Sequence, residues 1–272
     1  MCGTCGCAMP NEHHDDGHPH RHDAAAHDAT RETVAVLGRL LDANDREAAH
    51  NRQHLDHHGV LAINLMSSPG SGKTRLLEAT IDALGGRLRM AVIEGDLETE
   101  NDARRIRAKG VPAVQITTGT ACHLDAHMVH RALHELDLST LDVLFIENVG
   151  NLVCPASFDL GHHLNVTLLS VTEGADKPAK YPVMFRAADL MLLTKADLLR
   201  VLDDFDPQAA KTHFRALANP APVLQLSARE PETLAPWIVW LETQLARHRR
   251  GEALRPHMQT EGRTWHASAK AA

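Results

Sequence analysis

The sequence predicts an α/β fold, a mostly parallel and doubly wound sheet with helices on both faces. Short, continuous apolar runs alternate with segments of helical periodicity, as in a parallel sheet that is buried on both faces. The first run leads into a Gly-rich turn that opens a helix, the beginning of a βα unit. Aromatic residues make up only 3% of the chain, which favours aliphatic packing on a sheet. The seven runs lie at residues 60–66, 89–95, 113–118, 142–148, 166–172, 190–195 and 222–227.

Composition divides the chain into four segments. Residues 1–29 are polar and His-rich with almost nothing to bury, and we expect a disordered tail that binds metal. Residues 30–58 carry apolar residues at helical spacing followed by charged ones, which predicts one amphipathic helix. Residues 59–250 contain the seven runs and form the main domain, and residues 251–272 are a polar C-terminal tail.

Charge and composition exclude several classes of function. The 272-residue chain has a formal net charge of −7, which argues against nucleic acid as the main partner. No apolar run is long enough to span a membrane, and the first residues lack the basic and apolar regions of a secretion signal. We therefore expect no membrane partner and a cytoplasmic location, where thiols stay reduced. In that compartment a cysteine cluster more often binds metal or performs redox chemistry than forms structural disulfides.

The octapeptide SSPGSGKT at residues 67–74 follows the first run and opens a helix. It matches the phosphate-binding P-loop pattern GxxxxGK[ST], except that Ser67 stands at the first Gly position. Glycines let backbone N–H groups approach phosphate oxygens, and a helix N-terminus favours negative charge. In this pattern Lys73 reaches the β- and γ-phosphates, and the Thr74 hydroxyl ligates Mg²⁺. The candidate nucleotide-binding residues here are Gly70, Ser71, Gly72, Lys73 and Thr74.

Acidic residues stand at the ends of two later runs. Asp96 follows the second run and Glu147 ends the fourth, where a carboxylate can hold Mg²⁺ or orient the attacking water. We assign Asp96, together with Thr74, to the Mg²⁺ ion, and Glu147 to the Walker B position. Asp102 is interpreted as a surface helix residue and left out. The candidate catalytic residues are Lys73, Asp96 and Glu147.

The tetrapeptide TKAD at residues 194–197 ends the sixth run and indicates which base is bound. It resembles the guanine-specific motif NKxD, whose Asp accepts hydrogen bonds from guanine N1–H and the 2-amino group, donors that adenine lacks. Thr194 replaces the usual Asn, while LSAR at residues 226–229 resembles the loop that supports guanine. These segments favour GTP over ATP and disfavour an ATP-dependent kinase. The candidate base-binding residues are Lys195, Asp197, Ser227 and Ala228.

Cys122, His123 and Cys154 follow the third and fourth runs, on the side where such a fold holds its nucleotide. Two thiolates and an imidazole suit Zn²⁺ or Ni²⁺ far better than Mg²⁺. The alternative is that both cysteines are buried structural residues, which is common for free cysteine.

A stripe of histidines continues from this site along the next helix. His127, His130 and His134 follow His123 at helical spacing. A solvated polar face explains His130 and His134, and a route for metal toward Cys122 is a further hypothesis.

Together these segments resemble one family, the HypB-type GTPases that insert nickel during hydrogenase maturation, a SIMIBI-class P-loop group. The resemblance covers residues 30–250 and the extreme N-terminus. It rests on SSPGSGKT, EGDLETENDA, GTACHLDAHMV, ENVGNLVCP, TEGADKPAKYP and LTKADLL, of which ENVGNLVCP and the Cys-His pair are far more diagnostic than the Walker loop. The implied fold of residues 59–250 is a P-loop GTPase domain.

The resemblance implies a GTPase that binds GTP and GDP with Mg²⁺ and forms a homodimer on binding GTP. No arginine finger is evident in the sequence, so we expect slow intrinsic hydrolysis. The resemblance implies that Cys122, His123 and Cys154 bind Ni²⁺ or Zn²⁺ at the dimer interface and respond to the nucleotide. It also implies delivery of nickel to the hydrogenase large-subunit precursor, with a small zinc-containing nickel chaperone as a second partner. Lys177 or Lys180 is a candidate to reach nucleotide across the dimer.

The cluster Cys2, Cys5 and Cys7 resembles the N-terminal nickel site that some members carry. Iron–sulfur clusters usually require four cysteines, and a redox pair normally sits at a strand–helix junction. If the initiator Met is removed, as the resemblance suggests, the Cys2 amine and three thiolates form a set suited to square-planar Ni²⁺.

Two alternatives to nickel delivery stay open. One is a nickel storage or buffer protein with a secondary nucleotide site, because some members of the family carry a His-rich storage tract. The other is a maturation GTPase for another metalloenzyme, such as urease or a cobalamin enzyme. Residue chemistry alone does not identify the client.

Overall fold

The computed structural model describes residues 24–254, with side chains from residue 40 onward. The chain divides into two units, residues 1–40 and 41–272. The described part of the first unit is the N-terminal part of one long helix, α1 (Ala24–His58), which begins at Ala24 rather than at residue 30. The predicted tail site formed by Cys2, Cys5 and Cys7 lies outside the described residues.

Seven strands form one sheet, and every neighbouring pair of them is parallel. The strand order is β3-β2-β4-β1-β5-β6-β7. The predicted α/β class is therefore confirmed, and within residues 24–254 the sheet is entirely parallel. The strands are β1 (Leu61–Met66), β2 (Met90–Asp96), β3 (Ala113–Thr117), β4 (Val143–Glu147), β5 (Leu164–Ser170), β6 (Leu190–Thr194) and β7 (Val223–Gln225).

Helices make the connections between successive strands, except from β4 to β5, where the described connection contains only a 3₁₀ turn. Asp125 begins one of them, where its side chain accepts a hydrogen bond from the Met128 backbone N–H at 2.7 Å. The helices after α1 are α2 (Lys73–Leu84), α3 (Asn101–Ala108), α4 (Ala126–Leu133), α5 (Lys177–Lys180), α6 (Pro182–Arg186), α7 (Pro207–Arg215) and α8 (Ala235–Arg249). Short 3₁₀ turns lie at Leu138–Thr140, Cys154–Ser157, Ala196–Arg200 and Pro231–Leu234.

Successive residues of the inner strands point to opposite faces of the sheet, and each face has its own core. On β1, Ile63 and Leu65 pack with residues of α2 and α8. Ala62, which precedes Ile63, packs with Leu55 of α1 and Val129 of α4 on the other face. A further cluster places α7 against β5 and β6. These cores explain the doubly wound arrangement.

Three buried asparagines cross the middle of the sheet. The Asn148 side-chain amide donates to Asn64 Oδ1 at 3.2 Å, and the Asn64 amide donates to Asn165 Oδ1 at 2.9 Å. β5 begins at Leu164, ahead of the apolar run predicted from residue 166, because Leu164 and Asn165 pair with Ile63 and Asn64 of β1.

The carboxyl ends of β2, β4 and β1 lie side by side in the strand order. In an open parallel sheet this edge is where ligands bind. It brings together the loop after β1, Asp96 of β2 and Glu147 of β4. None of the helices between residues 24 and 254 has the length and apolar character needed to cross a membrane.

Candidate nucleotide and metal sites

The loop after β1 has the backbone geometry of a phosphate-binding turn. Gly70 and Gly72 adopt left-handed conformations, with φ of 74° and 94°, which residues with side chains rarely take. Gly72 precedes α2, so the unpaired amides of the first helical turn are available to an anion. The Lys73 ammonium donates to Ser67 Oγ at 3.1 Å. The serine at the first position of the pattern thus holds the lysine over the loop.

A cavity of about 360 Å³ opens beside this loop at the carboxyl edge of the sheet. It is lined by the P-loop and by the ends of β2 and β4, including Gly70, Gly72, Lys73, Thr74, Asp96, Asp102 and Glu147. A more open hollow of about 430 Å³ lies along α7, but its lining residues offer no carboxylate or thiol. The cavity at the P-loop is therefore the candidate nucleotide site.

Three carboxylates meet in the floor of this cavity. One oxygen from each of Glu94, Asp102 and Glu147 lies within 4.8 Å of the others. Thr74 Oγ1 donates to Glu147 Oε1 at 2.8 Å, while Glu94 Oε2 and Glu147 Oε2 are buried without a hydrogen-bond partner. Oxygen donors gathered around two orphaned carboxylate atoms fit a hard cation such as Mg²⁺.

Electrostatics support the same conclusion. Burial raises the pKa of Glu94 to about 8, and repulsion from Glu147 and Asp102 adds to this effect. Burial also raises the pKa of Glu147 to about 7, against the attraction of Lys73. Two buried carboxylates this close resist ionising together, and a divalent cation between them removes that penalty.

Asp96, predicted as the Mg²⁺ ligand, lines the cavity outside this group of three carboxylates. Its Oδ1 accepts from the Leu97 N–H at 2.7 Å, and its Oδ2 accepts from the Thr99 hydroxyl at 2.5 Å. Although burial opposes it, the hydrogen bonds from Thr99 and Leu97 hold the pKa of Asp96 below its usual value. Asp96 is thus an ionised carboxylate that fixes the loop after β2.

The predicted base-recognition residues lie next to the P-loop. Thr194 Oγ1 donates to the Ser71 carbonyl at 2.8 Å, so the Thr in place of Asn ties this loop to the phosphate loop. Ser227 Oγ donates to Asp197 Oδ1 at 2.6 Å, which leaves the other carboxylate oxygen for a base. Lys195 has a left-handed backbone, with φ of 58°. Ala228 follows Ser227 and packs against the core beneath.

Sequence reasoning missed several residues of the cavity. Glu94 stands inside the buried β2 run, and an acid in such a run was the available signal. Asp102 and Arg105 of α3 line the cavity and pair with each other at 2.6 Å. Glu173 accepts a hydrogen bond from Ser71 Oγ at 2.8 Å and one from the Ser68 hydroxyl. Nothing local in the sequence indicates this last contact, because more than one hundred residues separate its partners.

The structure brings Cys122, His123 and Cys154 together. One ligand atom from each lies within 4.8 Å of the others, and the two Sγ atoms are 3.1 Å apart. All three side chains are half-buried, and both cysteines are free. The His123 ring stacks on Phe158 at 4.0 Å between centroids. Partial exposure and convergence favour the predicted metal site over structural burial.

The donor set suits a borderline metal ion. Burial lowers the pKa of His123, which favours the neutral imidazole that binds metal. The hydrogen bond and repulsion from Cys122, together with burial, raise the pKa of the Cys154 thiol. A cation between the two sulfurs removes this repulsion, as expected for thiolates that bind Ni²⁺ or Zn²⁺.

The nucleotide cavity and the Cys-His group share one buried side chain. Asn148 follows Glu147 directly, and its Oδ1 accepts from the backbone N–H of Leu124 at 3.3 Å. Leu124 follows His123, and its side chain lies within 2.8 Å of the position of a Cβ on Gly95, so no larger residue fits there. The His123 loop is therefore in direct contact with the end of β2 and the end of β4.

Each cysteine is also anchored to a different wall of the cavity. Thr118 N donates to the Asp96 carbonyl at 2.9 Å, which holds the loop carrying Cys122 to the end of β2. Asn151 N donates to the Ser67 carbonyl at 2.9 Å, which holds the segment before Cys154 to the P-loop.

Comparisons with known proteins agree with this geometry. Residues 61–225 match the family model described as the CobW/HypB/UreG nucleotide-binding domain. The hydrogenase maturation factor HypB of Azotobacter vinelandii is 57% identical over 205 residues, covering 75% of this chain and 67% of that protein. The hydrogenase/urease maturation factor HypB of Helicobacter pylori is 44% identical over 209 residues, covering 75% of this chain and 85% of that protein.

A crystal structure of HypB from Helicobacter pylori in complex with nickel superimposes with a TM-score of 0.73 at 43% identity. The match covers 78% of this chain and 97% of that one. The family model spans the P-loop, the carboxylates of the cavity and Cys122, His123 and Cys154. The chain belongs to the HypB family of hydrogenase maturation factors.

Proposed function

We propose that this chain is a GTP-hydrolysing nickel metallochaperone, which binds Ni²⁺ and delivers it to the hydrogenase large-subunit precursor. The observation that carries the proposal is the Asn148 side chain, which joins the end of β4 in the nucleotide cavity to the loop bearing Cys122 and His123. Membership of the HypB family and the nickel bound by the Helicobacter pylori relative support it. The cytoplasmic location expected from the reduced cysteines is part of the same proposal.

In this proposal GTP binds with its phosphates in the loop after β1 and its guanine at Asp197. Lys73 and the first amides of α2 stabilise the negative charge that spreads over the β- and γ-phosphates. Mg²⁺ at Thr74 and the carboxylates of the cavity floor would neutralise further phosphate charge. Asp96 or Glu147 orients the water that attacks the γ-phosphorus, and the products are GDP and phosphate.

Cys122, His123 and Cys154 bind Ni²⁺, and Zn²⁺ competes for the same donors. Three side chains leave the fourth ligand to come from water or from a second copy of the chain, which GTP binding brings in by producing a homodimer. Lys177 or Lys180 then reaches the nucleotide of the other copy. Release of nickel after hydrolysis supplies the precursor, with the small zinc-containing nickel chaperone as the second partner.

Nickel titration calorimetry on the Cys2, Cys5 and Cys7→Ala variant tests this proposal, because the tail thiols no longer mask the Cys-His site. We expect nickel affinity to differ between the GDP and non-hydrolysable GTP analogue forms by about 5- to 150-fold. Lys73→Ala should remove the difference while sparing nickel binding. Superimposable titrations in the two nucleotide states would contradict the proposal.

A second client is favoured by one observation. The Helicobacter pylori relative carries the double name hydrogenase/urease maturation factor. Urease is also a nickel enzyme, so the same carrier chemistry serves both. Incubating the nickel-loaded chain with each apo-precursor and measuring the activity gained separates the two clients.

A further inference from the structure

A second group of histidines lies between α1 and α4, away from the Cys-His site. We call His50, His54, His130 and His134, with Glu47 beside them, the α1/α4 histidine cluster. The ring centroids of His50 and His130 are 5.1 Å apart, those of His130 and His134 are 4.6 Å apart, and those of His54 and His134 are 6.0 Å apart. The sequence suggested a solvated face at His130, but its side chain is only 19% exposed because α1 covers it.

The buried Asn51 fixes the tautomer of His130. The Asn51 side-chain amide donates to the carbonyls of Ala126 at 2.8 Å and Leu160 at 3.1 Å, so its Oδ1 is an acceptor. His130 Nδ1 lies 3.0 Å from this Oδ1 and 3.3 Å from Glu47 Oε1. Nδ1 therefore carries the proton and donates it to these oxygens, and the lone pair is on Nε2. Such a partner behind the ring is what metal-binding histidines normally have.

The Nε2 of His130 accepts a hydrogen bond from a second imidazole nitrogen, and a metal ion bound to both nitrogens would displace the proton between them. His134 Nε2 is 3.1 Å away, one helical turn further along α4. Two nitrogens bound at right angles to one ion, each at about 2.1 Å, stand about 3.0 Å apart. The pair already has the separation of two neighbouring ligands.

The position of α4 relative to α1 is also fixed by hydrogen bonds. Asn44 Oδ1 accepts from the Ala126 N–H at 2.9 Å, and Asn51 holds the Ala126 carbonyl, as described above. His50 and His54, on the α1 side, therefore face the pair from a rigid neighbour. One ligand atom from each of Glu47, His50 and His130 lies within 4.8 Å of the others, so His50 is the third imidazole nearest to His130.

We propose that His130 Nε2 and His134 Nε2, with His50 as the nearest third imidazole, form a divalent transition-metal site separate from the Cys-His site. Imidazole donors suit Ni²⁺ and Zn²⁺ and disfavour Mg²⁺. The nine steps along α4 from Asp125 to His134 span about 13 Å, so one ion cannot serve both sites. This site does not depend on the proposed function. It adds a second place at which the chain binds a transition metal.

A similar group elsewhere shows why the tautomer matters. Asp56, His163 and His248 also bring ligand atoms within 4.8 Å of one another. However, His163 Nδ1 accepts from the Ala62 N–H at 2.9 Å, and its Nε2 pairs with Asp56 at 2.9 Å. The partners of His163 are a strand N–H and a carboxylate, neither of which leaves a nitrogen lone pair for an ion, so this group holds structure together. The partner of His130 Nε2 is instead a second imidazole, which can itself bind a metal.

Carbethoxylation of the full-length chain, read residue by residue by mass spectrometry, tests the proposal. The reagent, diethyl pyrocarbonate, attacks a free imidazole lone pair, which a bound metal blocks. With nickel buffered at ten times the dissociation constant of the site, His130 and His134 should react about tenfold more slowly than in chelator-treated protein. His213 on α7, in the same digest, should react equally in both samples.

Two variants identify the origin of the protection. His134→Gln changes an exposed residue at the end of α4, so folding is retained, and it should abolish protection at His130. Cys122→Ala should leave protection at both histidines, because the sites are separate. Unchanged reactivity of His134 at a nickel level that protects His18, His20 and His22 would overturn the proposal. So would protection of His130 that survives in His134→Gln or disappears in Cys122→Ala.

Discussion

Asp197→Asn should shift the base preference of the nucleotide site from guanine toward xanthine. Asp197 offers a carboxylate of which one oxygen already accepts from Ser227 Oγ at 2.6 Å. The remaining oxygen and lone pairs match the N1–H and 2-amino donors of guanine. An amide at this position presents an N–H₂ group to those donors, while the change in shape is minimal.

The size of the effect follows from the number and type of hydrogen bonds. Hydrogen bonds to a charged group contribute about 1.5–3 kcal/mol each, and two of them are affected. Because Asp197 is only half-buried, we take the lower end, about 3 kcal/mol, which is roughly a hundredfold loss of GTP affinity. Xanthine carries a carbonyl in place of the 2-amino group, so the Asn amide donates to it and XTP affinity should rise.

Competition of GTP, XTP and ATP against a fluorescent nucleotide measures these affinities directly. Asp203→Asn, an exposed acid six residues further on, is the matched control and should leave all three unchanged. Unaltered GTP affinity in Asp197→Asn, or XTP binding no tighter than in the unmodified chain, would refute guanine recognition by this residue.

Three further predictions concern single contacts. Thr194→Val removes the hydrogen bond to the Ser71 carbonyl at 2.8 Å and should weaken GTP binding by about 1 kcal/mol, roughly fivefold, in the same competition assay. Thr194→Asn should retain the affinity for GTP of the unmodified chain. The buried Trp237 indole N–H donates to Thr80 Oγ1 at 2.9 Å, and Thr80→Val leaves this N–H without an acceptor. The free energy of unfolding, measured in urea, should fall by about 1–3 kcal/mol. The exposed Thr243→Val is the control and should change it little. Arg89 lowers the pKa of Asp142 to about 2, so Asp142 stabilises the fold above the unfolded value near 3.8 and this stabilisation disappears as pH falls toward 2. Asp142→Asn should therefore lower the free energy of unfolding by at most about 2 kcal/mol at pH 7 and by little at pH 2. An equal loss at both pH values would contradict stabilisation by the ionised Asp142.

The sheet was predictable because each strand is a local pattern. The P-loop, TKAD and the acids at strand ends could be placed from sequence since parallel strands end at one edge. Glu94 was overlooked because its position in an apolar run hides the fact that Glu147 and Asp102 converge on it. Asp102 resembles any acid in the first turn of a helix until α3 is packed beside the cavity. In the same way, the environment of His130 depends on α1, which is distant in sequence.

The anchoring of the two cysteines indicates how a nucleotide can act on the metal. The Cys122 loop is bonded to the end of β2 through Thr118 and Asp96, whereas the segment before Cys154 is bonded to the P-loop through Asn151 and Ser67. A nucleotide fills the space between the P-loop and the end of β2, so a shift of either wall changes the separation of the two Sγ atoms, 3.1 Å in this state.

Metal bonds to sulfur have a narrow optimum near 2.3 Å, so a small change in this separation alters affinity steeply. Coupling is reciprocal, so under the proposed function we expect nickel to change nucleotide affinity by the same factor, about 5- to 150-fold for about 1–3 kcal/mol. Asn151→Ala, which loses the Val153 N–H contact at 2.8 Å while keeping its own backbone bond to Ser67, should reduce this factor without abolishing either site. Measuring GDP and GTP affinity with and without nickel in this variant tests the connection through Asn151. An unchanged coupling factor would show that the coupling runs through the contact of Asn148 with Leu124 alone.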